Sequence, residues 1–305
     1  INAAKKSGAD AVKFQVFKTE NYVVKNAPLA KYQKNNTNKK NQFQLIKNLE
    51  LSEKKIHKIM NYCKKKKITF LASAFDKWGI NFLKKKKIKT FKIPSGEINN
   101  FDYLEEVSKY AISVILSTGM STQKEVSNAI KFLKKRKVKN ITLLQCNTEY
   151  PTPHKDLNLN VITNFKNTYK VKVGLSDHSI GDVAPLMAIA LGATTIEKHL
   201  TLNKKMRGPD HKASMEPKDF KKMVEKIRIA ELCLGNYFKK PTQSEKKNIR
   251  IARKSIYATK AIKKGEIFTK ENITLKRPQF GMKANKYYEV LGKKVNKNYK
   301  KDQLI

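Results

Sequence analysis

A chain of 305 residues that is 40% hydrophobic and 9% aromatic can bury a large core and carry a smaller second unit, which excludes a disordered or fibrous chain. A formal charge of +41 and a pI near 10.0 would ordinarily point to nucleic acid or an acidic membrane surface. However, six of the 66 basic residues are arginine and the rest lysine, and no platform of arginine and aromatic residues interleaves the lysine runs, so nucleic acid is not an expected partner.

The opening segment INAAKKSGAD (1–10) reads as the end of a helix already under way, so a strand is expected to precede it. Seven β-rich runs then alternate with helical periodicity: DAVKFQ (10–15), ITFLAS (68–73), TFKIPS (90–95), SVILST (113–118), ITLLQC (141–146), VKVGLS (171–176) and TTIEKH (194–199). Ser52 is placed to cap the helix SEKKIHKIMNYCKKKK, and Glu125 falls near the first turn of STQKEVSNAIKFLKKRK. The lysine runs at 64–67 and 84–87 follow predicted helices, where cations meet the negative end of the helix dipole. SGADAVKFQ (7–15) and LGATTIEKH (191–199) are near copies of one joint, a helix-stopping glycine that feeds a strand. Seven such units plus one missing first strand make the eight that close a parallel (β/α)₈ barrel. A doubly wound open sheet is the alternative, but no GxGxxG follows the early strands.

The barrel is expected over 1–234, followed by a polar linker over 235–250. A small, mostly β domain over 251–305 has its short runs split by KKGE and RPQFG turns. The longest apolar stretch, VAPLMAIALGA, is too short to cross a bilayer, so no membrane partner is expected. Cys63, Cys146 and Cys233 form no CxxC pair, which disfavours a disulfide framework or zinc knuckle and fits a reducing, cytoplasmic setting.

A barrel collects its chemistry at the C-terminal ends of its strands. Polar residues stand there: Lys13 and Gln15; Ser73; Lys92, Ser95 and Glu97; Ser117 and Thr118; Asn147 to Tyr150; Ser176 to His178; Glu197 to His199. Alternation puts Glu197 and His199 on one face with Lys198 on the other, and groups Ser176 with His178. Two inward histidines on consecutive strands suit a shared divalent cation with other positions open, Mn²⁺ or a similar metal, with Asp177 or Glu197 free to orient an imidazole. KIPSGE (92–97) offers an ammonium, a hydroxyl and a turn to an anion such as a phosphate. RGPDHKAS (207–214) reads as a loop above the barrel mouth where Asp210 could serve sugar hydroxyls, the alternative being a plain turn leading to a helix cap at Ser214, and Cys146 reads as a buried strand residue.

Taken in order, KFQ, KIPSGE, STGM, CNTEYPTP, GLSDH, IEKH, GPDHKAS and a later KRP make the chain resemble the sialic acid synthases along its whole length. The resemblance implies a TIM barrel with a C-terminal antifreeze-like (SAF) domain and a domain-swapped homodimer. The implied reaction condenses phosphoenolpyruvate with N-acetylmannosamine and water to give N-acetylneuraminate and phosphate. Legionaminic or pseudaminic acid synthesis from a 2,4-diacetamido sugar is the alternative. It also implies His178 and His199 as ligands of Mn²⁺ (or Mg²⁺ or Co²⁺), and phosphoenolpyruvate contacts at Lys13, Ser73, Lys92, Ser95, Thr148 and Ser176. Glu97, Tyr150 and Asp210 would lie near the amino sugar, with Arg277 reaching in from the partner chain. The family's EIG strand is absent, STPF reads ASAF, and KRPG reads KRPQFG. The rivals of another class are a Lys-rich nucleic-acid binder and a non-catalytic sugar-binding barrel.

Overall fold

Seven parallel strands run in sequence order through one sheet: β1 (Ala11–Val16), β2 (Thr69–Ala74), β3 (Thr90–Ile93), β4 (Ser113–Ser117), β5 (Asn140–Cys146), β6 (Lys172–Asp177) and β7 (Thr195–Lys198). The computed structural model describes residues 1–30, 33–34 and 37–305, in two compact units, Ile1–Gly235 and Asn236–Ile305. A flat sheet of this width would hold β1 and β7 roughly 29 Å apart at the usual strand spacing. Yet Lys13 Nζ of β1 donates to Glu197 Oε1 of β7 at 2.9 Å. The sheet is therefore curled, a barrel whose outer strands approach without pairing. This is the expected architecture, a (β/α)₈ barrel one strand short of closure.

The sequence dictates this arrangement through alternation. Outward positions such as Phe91, Ile93, Val114, Leu116, Leu143, Val173 and Leu175 are buried against helical residues including Ile80, Leu83, Leu104, Ile130, Leu133 and Ile162 in one continuous core. Each such side chain contributes about 1.5–3 kcal/mol by leaving water. Inward positions carry the polar set, so the same strands supply both core and site.

Helix starts follow local chemistry. Ser52, Asp76, Asn100 and Thr122 each accept a hydrogen bond from the backbone three residues on, and Thr122 with Glu125 completes a capping box. The helices' ends are more unusual. Gly8 and Gly192 take φ values of +82° and +98° at the two predicted glycine joints, but Lys67, Lys87 and Lys137 fill the equivalent place at +51°, +57° and +62°. Each lysine closes a Schellman motif: Ile68 N donates to Cys63 O at 3.1 Å, Ile88 N to Leu83 O at 3.1 Å and Val138 N to Leu133 O at 3.1 Å.

The second unit begins with a helix. Gln243–Ala252, capped by Thr242 and Glu245, occupies part of the stretch expected to be linker. Its sheet pairs β8 (Ser255–Ala258) antiparallel with β9 (Ile273–Lys276) over a core of Ile256, Ile262, Phe268, Val290, Val295 and Tyr299. Among the described residues no helix is long and apolar enough to cross a membrane, and Cys63, Cys146 and Cys233 are free thiols.

Candidate active site

At the C-terminal mouth of the barrel a cavity of about 270 Å³ opens. Lys13, Ser73, Lys92, Ser95, Thr148, Tyr150, Ser176, His178, His199 and Asp210 all line it. Register explains the convergence, because Gln15, Ser73 and Lys92 are successive lateral neighbours, as are Cys146, Ser176 and Glu197.

Glu197 organises the cationic side of the cavity. Its Oε1 accepts from Lys13 Nζ at 2.9 Å and from Ser176 Oγ at 2.9 Å. Burial alone would raise its pKa, but the ammonium groups of Lys13 and Lys92 and these two hydrogen bonds hold it well below the usual carboxylate range. Lys92 is 2% exposed and donates to Ser117 Oγ at 2.7 Å and to Ile93 O at 3.0 Å. Burial pulls its pKa down to about 8, with Glu197 opposing and Lys13 adding to the fall.

Beside this pair lie hydroxyls. Ser73 Oγ is buried and meets no hydrogen-bond partner, an arrangement that costs stability and is favourable only when a ligand acceptor or donor completes it. Ser95 Oγ accepts from Gly119 N at 2.9 Å and lies 3.6 Å from Cys146 Sγ. A Cβ on Gly119 would fall 2.8 Å from Thr148 Cγ2 and 2.9 Å from Ser95 Oγ, so the STGM glycine keeps these two cavity groups in place.

The two histidines stand together on the other side. The His178 and His199 rings are 5.2 Å apart and edge to face, with the Tyr150 ring 4.2 Å from that of His178 and tilted by 37° to it. Neither Asp177 nor Glu197 orients an imidazole, contrary to the sequence expectation. Asp177 points to the opposite face, where its Oδ2 pairs with buried Lys198 at 2.5 Å and its Oδ1 accepts from Ser179, and Glu197 is committed to Lys13 and Ser176. The backbone does that work for His178, whose Nδ1 lies 2.6 Å from Asn147 O, a contact that assigns the proton to Nδ1 and leaves Nε2 as the lone-pair donor. His199 Nδ1 lies 3.7 Å from Asp210 Oδ2. The His199 side chain is 30% exposed, but into the cavity mouth. Desolvation there, with the charges of His178 and Lys13, holds its pKa down, which keeps a neutral ring. Burial raises the Asp210 carboxyl, with His178 and His211 pulling the other way.

Among the described residues no three His, Cys, Asp or Glu side chains come together as a metal cluster. The protein's own donors here are two neighbouring imidazoles. They fit a cation that takes its remaining ligands from substrate oxygens and water, and they do not fit a closed structural site.

Two expected residues stand outside the cavity lining. Glu97 is turned toward Asn100, whose Nδ2 donates to it at 2.7 Å, and burial raises its pKa. Arg277 follows β9 in the second unit. Conversely, Cys146 lines the cavity and does so as part of the His178 environment. Its Sγ lies 3.6 Å from Ser95 Oγ. Strand parity from Ser176 back across the register to Cys146 carries the signal for that placement.

A family model for the NeuB family matches residues 1–239, and one for the SAF domain matches residues 253–305. The chain belongs to the NeuB family. Over its full length, this NeuB-family chain is 47% identical to the N,N'-diacetyllegionaminic acid synthase of Campylobacter jejuni, covering 92% of that protein. It is 38% identical to the protein of the same name from Legionella pneumophila, over 98% of the chain and 85% of the relative. Among solved structures, the N-acetylneuraminic acid synthetase of Leptospira borgpetersenii superposes with a TM-score of 0.72 at 33% identity, over 81% of this chain and 82% of that one. This NeuB-family chain is an enzyme of the transferase type, a phosphoenolpyruvate-dependent aldol synthase that acts on an N-acetylated amino sugar.

Proposed function

We propose that the enzyme condenses phosphoenolpyruvate with a 2,4-diacetamido sugar to make a legionaminic-type acid and phosphate. The observation that carries this reading is one cavity holding Lys13, Lys92 and an unpartnered Ser73 hydroxyl beside the His178 and His199 pair. The motifs alone favour N-acetylmannosamine as the sugar. The 47% identity to an N,N'-diacetyllegionaminic acid synthase, against 33% to an N-acetylneuraminic acid synthetase, supports the 2,4-diacetamido sugar instead.

In this reading Lys13 and Lys92 bind the phosphate, with Glu197 fixing the Lys13 ammonium and Ser117 that of Lys92. Ser73, Ser95, Thr148 and Ser176 give it hydroxyl contacts. Tyr150 and Asp210 face the sugar, and Glu97 is a further contact in its vicinity. A divalent cation held by His178 and His199, with Mn²⁺ preferred over Mg²⁺ or Co²⁺, would polarise the sugar aldehyde. C3 of phosphoenolpyruvate then bonds to the aldehyde carbon, whose oxygen takes up a proton. The C2–C3 π bond supplies the electron pair for that bond and leaves C2 as an oxocarbenium; water adds there and gives up one proton, and its second proton leaves as the C2 carbonyl forms and the C2–O bond to phosphate breaks. Arg277 is assigned to the sugar site of a second copy of the chain, in a domain-swapped homodimer.

The test is a comparison of kcat/KM for a 2,4-diacetamido sugar and for N-acetylmannosamine at saturating phosphoenolpyruvate, with product masses identified. A preference of tenfold or more for the diacetamido sugar is expected. A reversed preference would return the enzyme to N-acetylneuraminate synthesis.

A further inference from the structure

The cavity is chemically divided. Its floor is ionic and hydroxylic, built by strand ends. Its wall on the side of β1 and β2 is mainly apolar: Phe17 and Tyr22 after β1, Leu45, Ile46 and Leu49 from the helix Gln42–Leu49, and Phe75 after β2, with the amides of Gln33 and Gln42 beside them. The rings form one cluster, with Phe75 4.9 Å from Tyr22 and 6.0 Å from Phe17 between centroids. Leu45 is buried, whereas Leu49 is half exposed.

Such a wall has no role toward phosphoenolpyruvate, a trianion with one methylene, and none toward sugar hydroxyls. It is also larger than one acetamido methyl requires. Three rings and three branched aliphatic side chains offer apolar contact for a second acyl group, and the ring cluster fixes their positions. A sugar hydroxyl set against the phenyl rings and aliphatic side chains of this wall would lose water without gaining a partner there, whereas an acyl methyl would be buried favourably.

Resting on the diacetamido reading above, we propose that the wall of Phe17, Tyr22, Leu45, Ile46, Leu49 and Phe75 is the specificity pocket for the second N-acyl group of the sugar. The wall selects between sugars and leaves the shared chemistry to the floor. Ile46 and Leu49 are the members of choice for testing because neither is fully buried, so truncation there spares the core.

The experiment measures kcat/KM for the 2,4-diacetamido sugar and for N-acetylmannosamine with wild type, Ile46→Ala/Leu49→Ala and Ile46→Val. The ratio of the two values should fall about tenfold in the double variant and by a smaller factor in Ile46→Val, the scale of a few methyl groups in an apolar pocket. A purely structural role would lower both values together and hold the ratio at its wild-type level, which would overturn the proposal. A wild type that turns over both sugars with no preference between them would also overturn it. A wild type that uses neither sugar would instead sink the synthase reading, and this inference with it.

Discussion

Lys92 illustrates how a buried charge becomes a functional one. It sits among Ser117, the Ile93 carbonyl and the cavity, and burial lowers its pKa to about 8. Below that pH the ammonium is present and binds phosphate; above it the proton is lost. KM for phosphoenolpyruvate is therefore expected to rise as pH passes through 8 to 9, and a Lys92→Met variant should have a higher KM without that rise. A wild-type KM flat to pH 9.5 would contradict the assignment. Ser73 supports a complementary test. Its hydroxyl has no partner in the protein, so Ser73→Ala should leave stability unchanged or improve it by about 1 kcal/mol. The same change should raise KM for phosphoenolpyruvate severalfold, whereas a loss of stability with KM unmoved would mark Ser73 as structural. At this scale the sequence was informative where parity decides direction, as with Glu197, His199 and Lys198. It was silent where an atom's partner comes from a distant backbone. The carbonyl of Asn147 takes the role expected of Asp177 or Glu197, and no spacing rule anticipates it.

The strands were the most legible elements, each lying within two residues of its predicted run, because short β-prone runs alternate with segments of helical periodicity along the whole first unit. The helix ends were legible only in part. Glycine marks two joints, but Lys67, Lys87 and Lys137 adopt the left-handed conformation that a side chain disfavours by about 1–2 kcal/mol. Each is offset in part by its place at the helix C-terminus, where a cation gains about 0.3–1 kcal/mol. Replacing any one of them by glycine is therefore expected to stabilise the first unit by about 0.5 kcal/mol, read as a higher urea midpoint at unchanged slope. A lower midpoint for all three would show that the lysine side chains contribute more than their backbone costs. The second unit was harder to read, since β8 and β9 are its continuous strands and distant single bridges such as Ile262 with Tyr299 and Ile267 with Lys294 do much of the remaining pairing. The helix Gln243–Ala252 was concealed by the polar composition of its segment.

For the whole molecule, curling brings Lys13 and Glu197 together from opposite ends of the sheet order, so the site exists only when the barrel does. The proposal that Arg277 serves a second copy has its own test. Arg277→Ala and His178→Ala, each expected to be nearly inactive alone, should on subunit mixing regain about a quarter of wild-type activity, since half of randomly formed dimers carry one intact site. No recovery on proven exchange would keep Arg277 within its own chain or remove it from the site. The central claim, a condensation that consumes phosphoenolpyruvate only with a sugar, is tested most directly by phosphate release after chelation and metal add-back. Release is predicted only when phosphoenolpyruvate, the 2,4-diacetamido sugar and Mn²⁺ are all present, and is predicted to disappear in His178→Ala and His199→Ala. Phosphate release that proceeds at the same rate without sugar, or no release with any N-acetylated amino sugar, would contradict it.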